Sequence, residues 1–302
     1  MRRIVLSLSL SFFLLALTAC GGGGISVSGG SKPTSASLSS GNWNVSATSQ
    51  MLTLNGAEVI LNFSGPLTGG SSAITLATNA GFFQKQTTFS GTQAEDKVTL
   101  TSAIIKANIQ GTLVPVTVTI TGTVYNGTNI DGTYTETGAA TGDTTIYDKG
   151  TVQASYVPSI SATWTGKQLE EAPDPGGNPD PLTANTATAS AAIAQATTPA
   201  IITYNGSTQS VFPLSGTFTF TDSVCFTSAT IDSTKSFAVG NRVILNVVAN
   251  DGTVIIGSTS YNGLDPVNLS ITFSPQPDAQ GDLPTCYSYL LKSTLARPLG
   301  SS

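Results

Sequence analysis

The sequence predicts an all-β protein made of two tandem antiparallel meander domains, folded either as small barrels or as sandwiches. Two observations lead there. Residues 116–137 alternate apolar residues with threonine and then turn back on themselves. Strand-length runs separated by Gly, Asn, Asp and Pro recur at a spacing of about ten residues through two similar halves, as in a meander.

The alternating stretch is the clearest element. Val116, Val118, Ile120 and Val124 fall on one face, and Thr117, Thr119, Thr121 and Thr123 on the other. Period-two alternation of β-branched residues describes a half-buried antiparallel strand. Asn126-Gly127 follows, two residues that tolerate positive φ, so the chain reverses and residues 130–137 form the return strand. The other expected strands of the first half cover residues 42–47, 58–63, 73–78, 87–90, 97–105 and 151–157. Those of the second half cover 162–165, 214–221, 225–231, 242–248, 253–259, 267–273 and 286–293.

The halves echo each other. Trp43 matches Trp164, Phe63-Ser64-Gly65 matches Leu214-Ser215-Gly216, Tyr125-Asn126-Gly127 matches Tyr261-Asn262-Gly263, and Pro158 matches Pro298. This alignment requires extra residues in the second half between Trp164 and Gly216. A Pro/Gly-rich run followed by an Ala/Thr-rich run supplies them, so 170–199 is expected to be a surface loop insert, with a short helical turn near 187–196. The resulting organisation is 1–19 signal segment, 20–40 tether, 41–158 first β domain and 159–302 second β domain with the insert.

Charged residues make up only 10% of the 302, and His is absent. Removing Arg2 and Arg3 with the signal segment leaves ten basic against 17 acidic residues, a net charge of about −7. Phosphate neutralisation needs a basic patch, so a nucleic-acid partner is not expected. Without His there is no Ser-His-Asp or Cys-His catalysis, no His metal ligand and no ordinary near-neutral proton shuttle. Neither a cofactor nor a metal is expected. Asp174, Asn178 and Asp180 offer oxygens, but not at the spacing of a calcium loop.

Met1-Arg2-Arg3 is a short basic start, and residues 4–17 are an apolar run of signal-peptide length. The run ends in Leu17-Thr18-Ala19-Cys20, which resembles the lipobox of bacterial lipoproteins. The resemblance implies cleavage before Cys20 and its modification with diacylglycerol and palmitate-like acyl chains. Two or three such chains anchor firmly, each buried CH₂ contributing about 0.8 kcal/mol. Gly21 stands where an Asp would retain a lipoprotein at the inner membrane, so the resemblance implies the cell envelope and specifically the outer membrane. Residues 21–40, rich in Gly and Ser, read as a flexible tether.

Gly41-Asn42-Trp43 resembles the Gly-x-Trp that opens calycin barrels such as lipocalins and the avidin family, where the Trp packs across the barrel floor. Trp164 repeats it, with Ala162 in place of Gly. The resemblance implies barrels able to enclose a ligand.

Once Cys20 is lipidated, Cys225 and Cys286 remain. Their separation excludes a Cys-x-x-Cys redox site, and in an exported protein they are expected to form a structural disulfide. The paired carboxylates Glu95-Asp96 and Glu170-Glu171 are each adjacent in sequence, so strand neighbours would point to opposite faces. Both pairs are expected to be solvated, the first in a turn and the second in the insert. The aromatic residues Phe82, Phe83, Tyr134, Phe218, Phe220 and Phe273 fall on or near strands, as core or as cavity lining. The functional expectation is a non-enzymatic, membrane-anchored lipoprotein that binds a small apolar or amphipathic ligand. The alternatives are an adhesion or protein-interaction module acting through the loops of β-sandwiches, and, third, a hydrolase using carboxylates alone.

Overall fold

In a computed structural model the chain is described over residues 36–54, 56–70, 73–78, 86–109, 111–171, 185–260, 268–282, 286 and 290–297. Cys20, Phe82, Phe83, Asp174, Asn178, Asp180, Tyr261-Asn262-Gly263 and Pro298 lie outside these residues. The described part contains strands and no helix.

The first half comprises β1 (Gly41–Leu54), β2 (Ala57–Gly70), β3 (Ala73–Ala77), β4 (Thr88–Ala94), β5 (Lys97–Ser102), β6 (Ile105–Ile109), β7 (Thr112–Tyr125), β8 (Asn129–Gly138) and β9 (Ile146–Val157). Each strand pairs antiparallel with the next, except that β5 passes over β6 and pairs with β7. β9 returns to β1, so eight strands close a barrel and β6 extends from its rim as a hairpin with the start of β7. The second half comprises β10 (Ala162–Glu171), β11 (Asn185–Gln195), β12 (Ala200–Tyr204), β13 (Ser207–Thr221), β14 (Ser228–Ile231), β15 (Phe237–Val239), β16 (Arg242–Ala249), β17 (Val254–Ser260), β18 (Asn268–Pro275) and β19 (Leu290–Ala296). Here β11 pairs with β13 and β19 with β10, closing a second eight-stranded barrel from which β12 and β15 branch. Both halves are therefore barrels and not sandwiches.

The alternating pattern does what it predicts. Val116, Val118, Ile120 and Val124 are buried inside the first barrel. Outside, Thr117 bonds Thr137 at 3.3 Å and Thr121 bonds Thr133 at 3.3 Å across β7 and β8. Asn126 and Gly127 have φ of 53° and 72°, and the Thr128 amide donates to the Tyr125 carbonyl at 3.0 Å.

The repeat is built around the tryptophans. Trp43 and Trp164 are both fully buried. Trp43 Nε1 donates to the Ser39 carbonyl at 2.9 Å and Trp164 Nε1 to the Ile160 carbonyl at 3.0 Å, each four residues upstream. A residue from the last strand's end lies against each ring: Tyr156 edge-on to Trp43, and the Arg297 guanidinium 5.1 Å from the Trp164 ring centre. The segment before β1 seals this end of the first barrel. Leu38 is buried, its amide donates to Gln93 Oε1 at 2.9 Å, and Gln93 Nε2 donates back to the Ala36 carbonyl at 2.9 Å.

Three expectations need correction. Residues 185–195 are not helical and not a loop: they form β11, a full barrel strand paired on both sides. Ala187, Ala189, Ala191 and Ile193 alternate with Thr186, Thr188, Ser190 and Ala192, so pattern overrides the helix propensity of alanine. The proposed insert 170–199 therefore loses both ends, because Glu170 and Glu171 complete β10. Finally, Phe63-Ser64-Gly65 lies on the second barrel strand, whereas Leu214-Ser215-Gly216 lies on β13, the third barrel strand of its half. The two triplets are not equivalent; each Gly stands where a neighbouring backbone comes close, the Ala77 carbonyl at Gly65 and the Ala192 carbonyl at Gly216.

Candidate functional site

Along each inward face the side chains change from apolar to polar. On β1 the inward residues are Trp43, Val45, Ala47 and Ser49; on β8 they are Ile130, Tyr134 and Glu136; on β9 they are Ala154, Val152 and Asp148. The apolar residues pack at the tryptophan end. Ser49, Glu136 and Asp148 collect at the opposite end.

A cavity of about 1000 Å³ opens there. Its walls come from strand ends that all reach the same rim: Met51 and Leu52 from β1, Thr87 and Thr88 at β4, Ile104 to Ile109 around β6, and Leu113 from β7. Several walls are apolar yet uncovered, with Leu52 46%, Met51 49%, Leu113 57% and Ile104 65% exposed. Glu136, Asp148 and Tyr147 line it from β8 and β9, and Lys106 borders it from β6.

Glu136 and Asp148 are directly opposed across the β8–β9 ladder, just before a bulge at Tyr147. Both are buried, at 5% and 2% exposure. Asp148 is fully engaged. Its Oδ1 accepts from Ser49 Oγ at 2.7 Å and from the Lys149 amide at 2.8 Å, and its Oδ2 accepts from Tyr134 Oη at 2.7 Å. Ser49 Oγ in turn accepts from the Leu52 amide at 2.8 Å, which holds the β1 end against the cavity. Glu136 differs: among the described residues its Oε1 is buried with no hydrogen-bond partner. Burial first, and then the charge of Asp148, push the Glu136 carboxyl above the usual carboxylate range. Burial, followed by the bond to Asp148, raises the Tyr134 hydroxyl above its ordinary value.

The second barrel has a buried acid at the matching place, for Ser49 follows Trp43 as Glu170 follows Trp164. Glu170 is not solvated, as its position beside Glu171 suggested; it is fully buried. Gln168 Nε2 and Ser223 Oγ donate to its Oε1, while Asn185 Nδ2 at 3.2 Å and the Val224 amide at 2.9 Å donate to its Oε2. Glu170 belongs to the inward stripe of β10 with Trp164 and Gln168, which is why it turns in. It fastens the segment that carries Cys225. Cys225 and Cys286 are disulfide-bonded, with Cα atoms 5.5 Å apart. Neither cysteine begins a strand: β14 starts at Ser228 and β19 at Leu290, so the bridge joins connecting segments. Phe218, Phe220, Phe226 and Phe273 fill the adjoining interior. These aromatic residues and Tyr134 are core, and the apolar part of the cavity wall in the first barrel is aliphatic.

Glu95 sits in the β4–β5 turn with φ 55°, and Asp96 lies 3.6 Å from Lys97, so this pair is a turn feature remote from the cavity. Comparison with family models, curated proteins and solved structures found no match.

Glu136 and Asp148 were not among the sequence candidates, which were sought as neighbouring acids. Their signal was phase: Glu136 is in step with Ile130 and Tyr134, and Asp148 with Val152 and Ala154. An acid on the apolar beat of two successive strands marks a polar end inside a barrel.

Proposed function

We propose that this protein is a lipid-anchored lipoprotein of the outer membrane, with calycin-like barrels, that binds a small apolar or amphipathic molecule at the mouth of its first barrel and does not catalyse. The cavity carries this reading. It is large enough for a small ligand, aliphatic residues make up half of its wall, and the polar groups of Glu136, Tyr147 and Asp148 converge at its base, a composition that suits an amphipathic ligand. The Leu17-Thr18-Ala19-Cys20 sequence supports the anchor, and the buried Trp43 and Trp164 at the closed ends support the calycin likeness.

Titration with the neutral dye N-phenyl-1-naphthylamine tests the site. Saturable binding is expected, weakened at least about tenfold by Leu113→Arg, which places a charge on the apolar wall. Absence of saturable binding overturns the reading. For the anchor, Cys20→Ala is expected to leave the precursor uncleaved and unacylated, read by mass spectrometry. An unacylated N-terminus on the native mature protein overturns it.

A second reading, carboxylate hydrolysis, draws on the Glu136–Asp148 pair. Binding is favoured over it because both oxygens of Asp148 already accept hydrogen bonds, leaving one free carboxylate where such hydrolysis uses two. Turnover of a glycoside or ester abolished by Glu136→Gln in a folded protein would decide for hydrolysis.

A further inference from the structure

We infer that the ligand of the first barrel is a lipophilic amine, bound with its ammonium group on Glu136 and its apolar part against Met51, Leu52, Ile104 and Leu113. The inference rests on the proposed binding role and names the class of ligand.

The two barrels supply the argument through their difference. Each buries acid at its polar end. In the second barrel every lone pair of consequence on Glu170 is met by Gln168, Asn185, Ser223 and the Val224 amide. That carboxylate is a structural clamp and has nothing left to offer. In the first barrel Tyr134, Ser49 and the Lys149 amide satisfy Asp148 alone, and Glu136 lines an open cavity with a buried, unpartnered Oε1. A buried polar atom without a partner is costly, and two acids directly opposed across a ladder repel. One guest that relieves both costs is a cation with N–H groups, which gives Glu136 its missing donor and neutralises the pair.

An anionic guest would add a third negative group beside two carboxylates. Lys106 also borders the cavity, but it is exposed on β6, and the charge that acts on Glu136 is that of Asp148. A neutral alcohol would satisfy one hydrogen bond and leave the repulsion in place. The aliphatic wall at the rim asks for an alkyl chain, because uncovered Ile104 and Leu113 gain by losing contact with water.

The experiment compares three probes of one chain length, octylamine, octanol and octanoate, by calorimetric titration near neutral pH on the folded protein and on Glu136→Gln. Octylamine is expected to bind at least about tenfold more tightly than octanol, with octanoate weakest. In Glu136→Gln, which keeps the shape and removes the charge, the preference for amine over alcohol is expected to fall to within about threefold. If octanol or octanoate binds as tightly as octylamine, or if Glu136→Gln keeps the preference, the amine inference is wrong while the binding role stands. If none of the three binds, both are wrong.

Discussion

Asn42 of the first barrel and Gly240 of the second exchange two hydrogen bonds. Asn42 Nδ2 donates to the Gly240 carbonyl at 2.8 Å, and the Gly240 amide donates to Asn42 Oδ1 at 2.6 Å. Asn42 is buried, and Gly240 has φ 55°. A Cβ on Gly240 would stand 2.0 Å from Asn44 Oδ1 and 2.6 Å from Ser64 Cβ, both on the first barrel. Asn42→Leu leaves a buried amide and carbonyl unpaired and is expected to cost about 1–3 kcal/mol. Gly240→Val adds strain and collision and is expected to cost more. Denaturant unfolding measures both losses, and faster proteolysis between Val157 and Ala162 reports loosening at the junction.

Removing the disulfide is expected to weaken the second barrel selectively. Cys225 and Cys286 enclose a loop of 61 residues. The chain-entropy model gives a contribution of about 4 kcal/mol for a loop of that order. The Cys225→Ala, Cys286→Ala double variant should lose about that much in denaturant unfolding. Hydrogen exchange in β1, β8 and β9 should not change.

Glu170→Ala is expected to cost about 3 kcal/mol or more, since it strands the buried Gln168 donor and the part-buried donors of Asn185, Ser223 and Val224 and frees the segment from Ser223 to Phe226. Glu171→Ala, on the partly exposed neighbour, should cost under about 0.5 kcal/mol. Comparable losses from the two would contradict the buried clamp. Trp43→Ala and Trp164→Ala should each cost about 3–5 kcal/mol, as large core residues do.

Glu136→Gln is expected to stabilise the ligand-free protein at neutral pH, because it removes a buried charge beside Asp148. The sign follows from proton uptake. Its carboxyl titrates higher in the folded chain than in the unfolded one. Within that window the folded state holds more protons, so stability is full below the unfolded value and falls as pH rises towards the folded one. The advantage of Gln should therefore appear above about pH 4 and vanish below it. Thermal unfolding across pH 3 to 8 checks this, and an advantage that grows on acidification would refute it.

The β architecture was legible because one alternating stretch and two Trp-led halves carry it directly. Val116 to Val124 needed only the strand period. β11 was not legible as a strand: Ala supports both helix and strand, and the Pro/Gly run before it made the whole region look like a loop. Closure as a barrel depends on pairings between distant strands, which local pattern does not encode. The site failed for a related reason. Glu136 and Asp148 are far enough apart in the chain to look unrelated, and the β8–β9 register makes them neighbours. The disulfide was legible because, with Cys20 read as the lipidated residue, Cys225 and Cys286 were left to pair.

In both barrels the first strand is hydrogen-bonded to the last, Asn42 opposite Val157 in one and Thr165 opposite Ala296 in the other. Each closure joins residues more than a hundred positions apart. Neither barrel can complete its seam while its final strand is still being synthesised. β1 must wait with an unpaired edge until β9 arrives, and β10 until β19. Such distant pairings slow folding and leave edges open to other chains. During biogenesis the chain therefore passes through a stage with exposed edges, in which each half is most open to pairing with another chain.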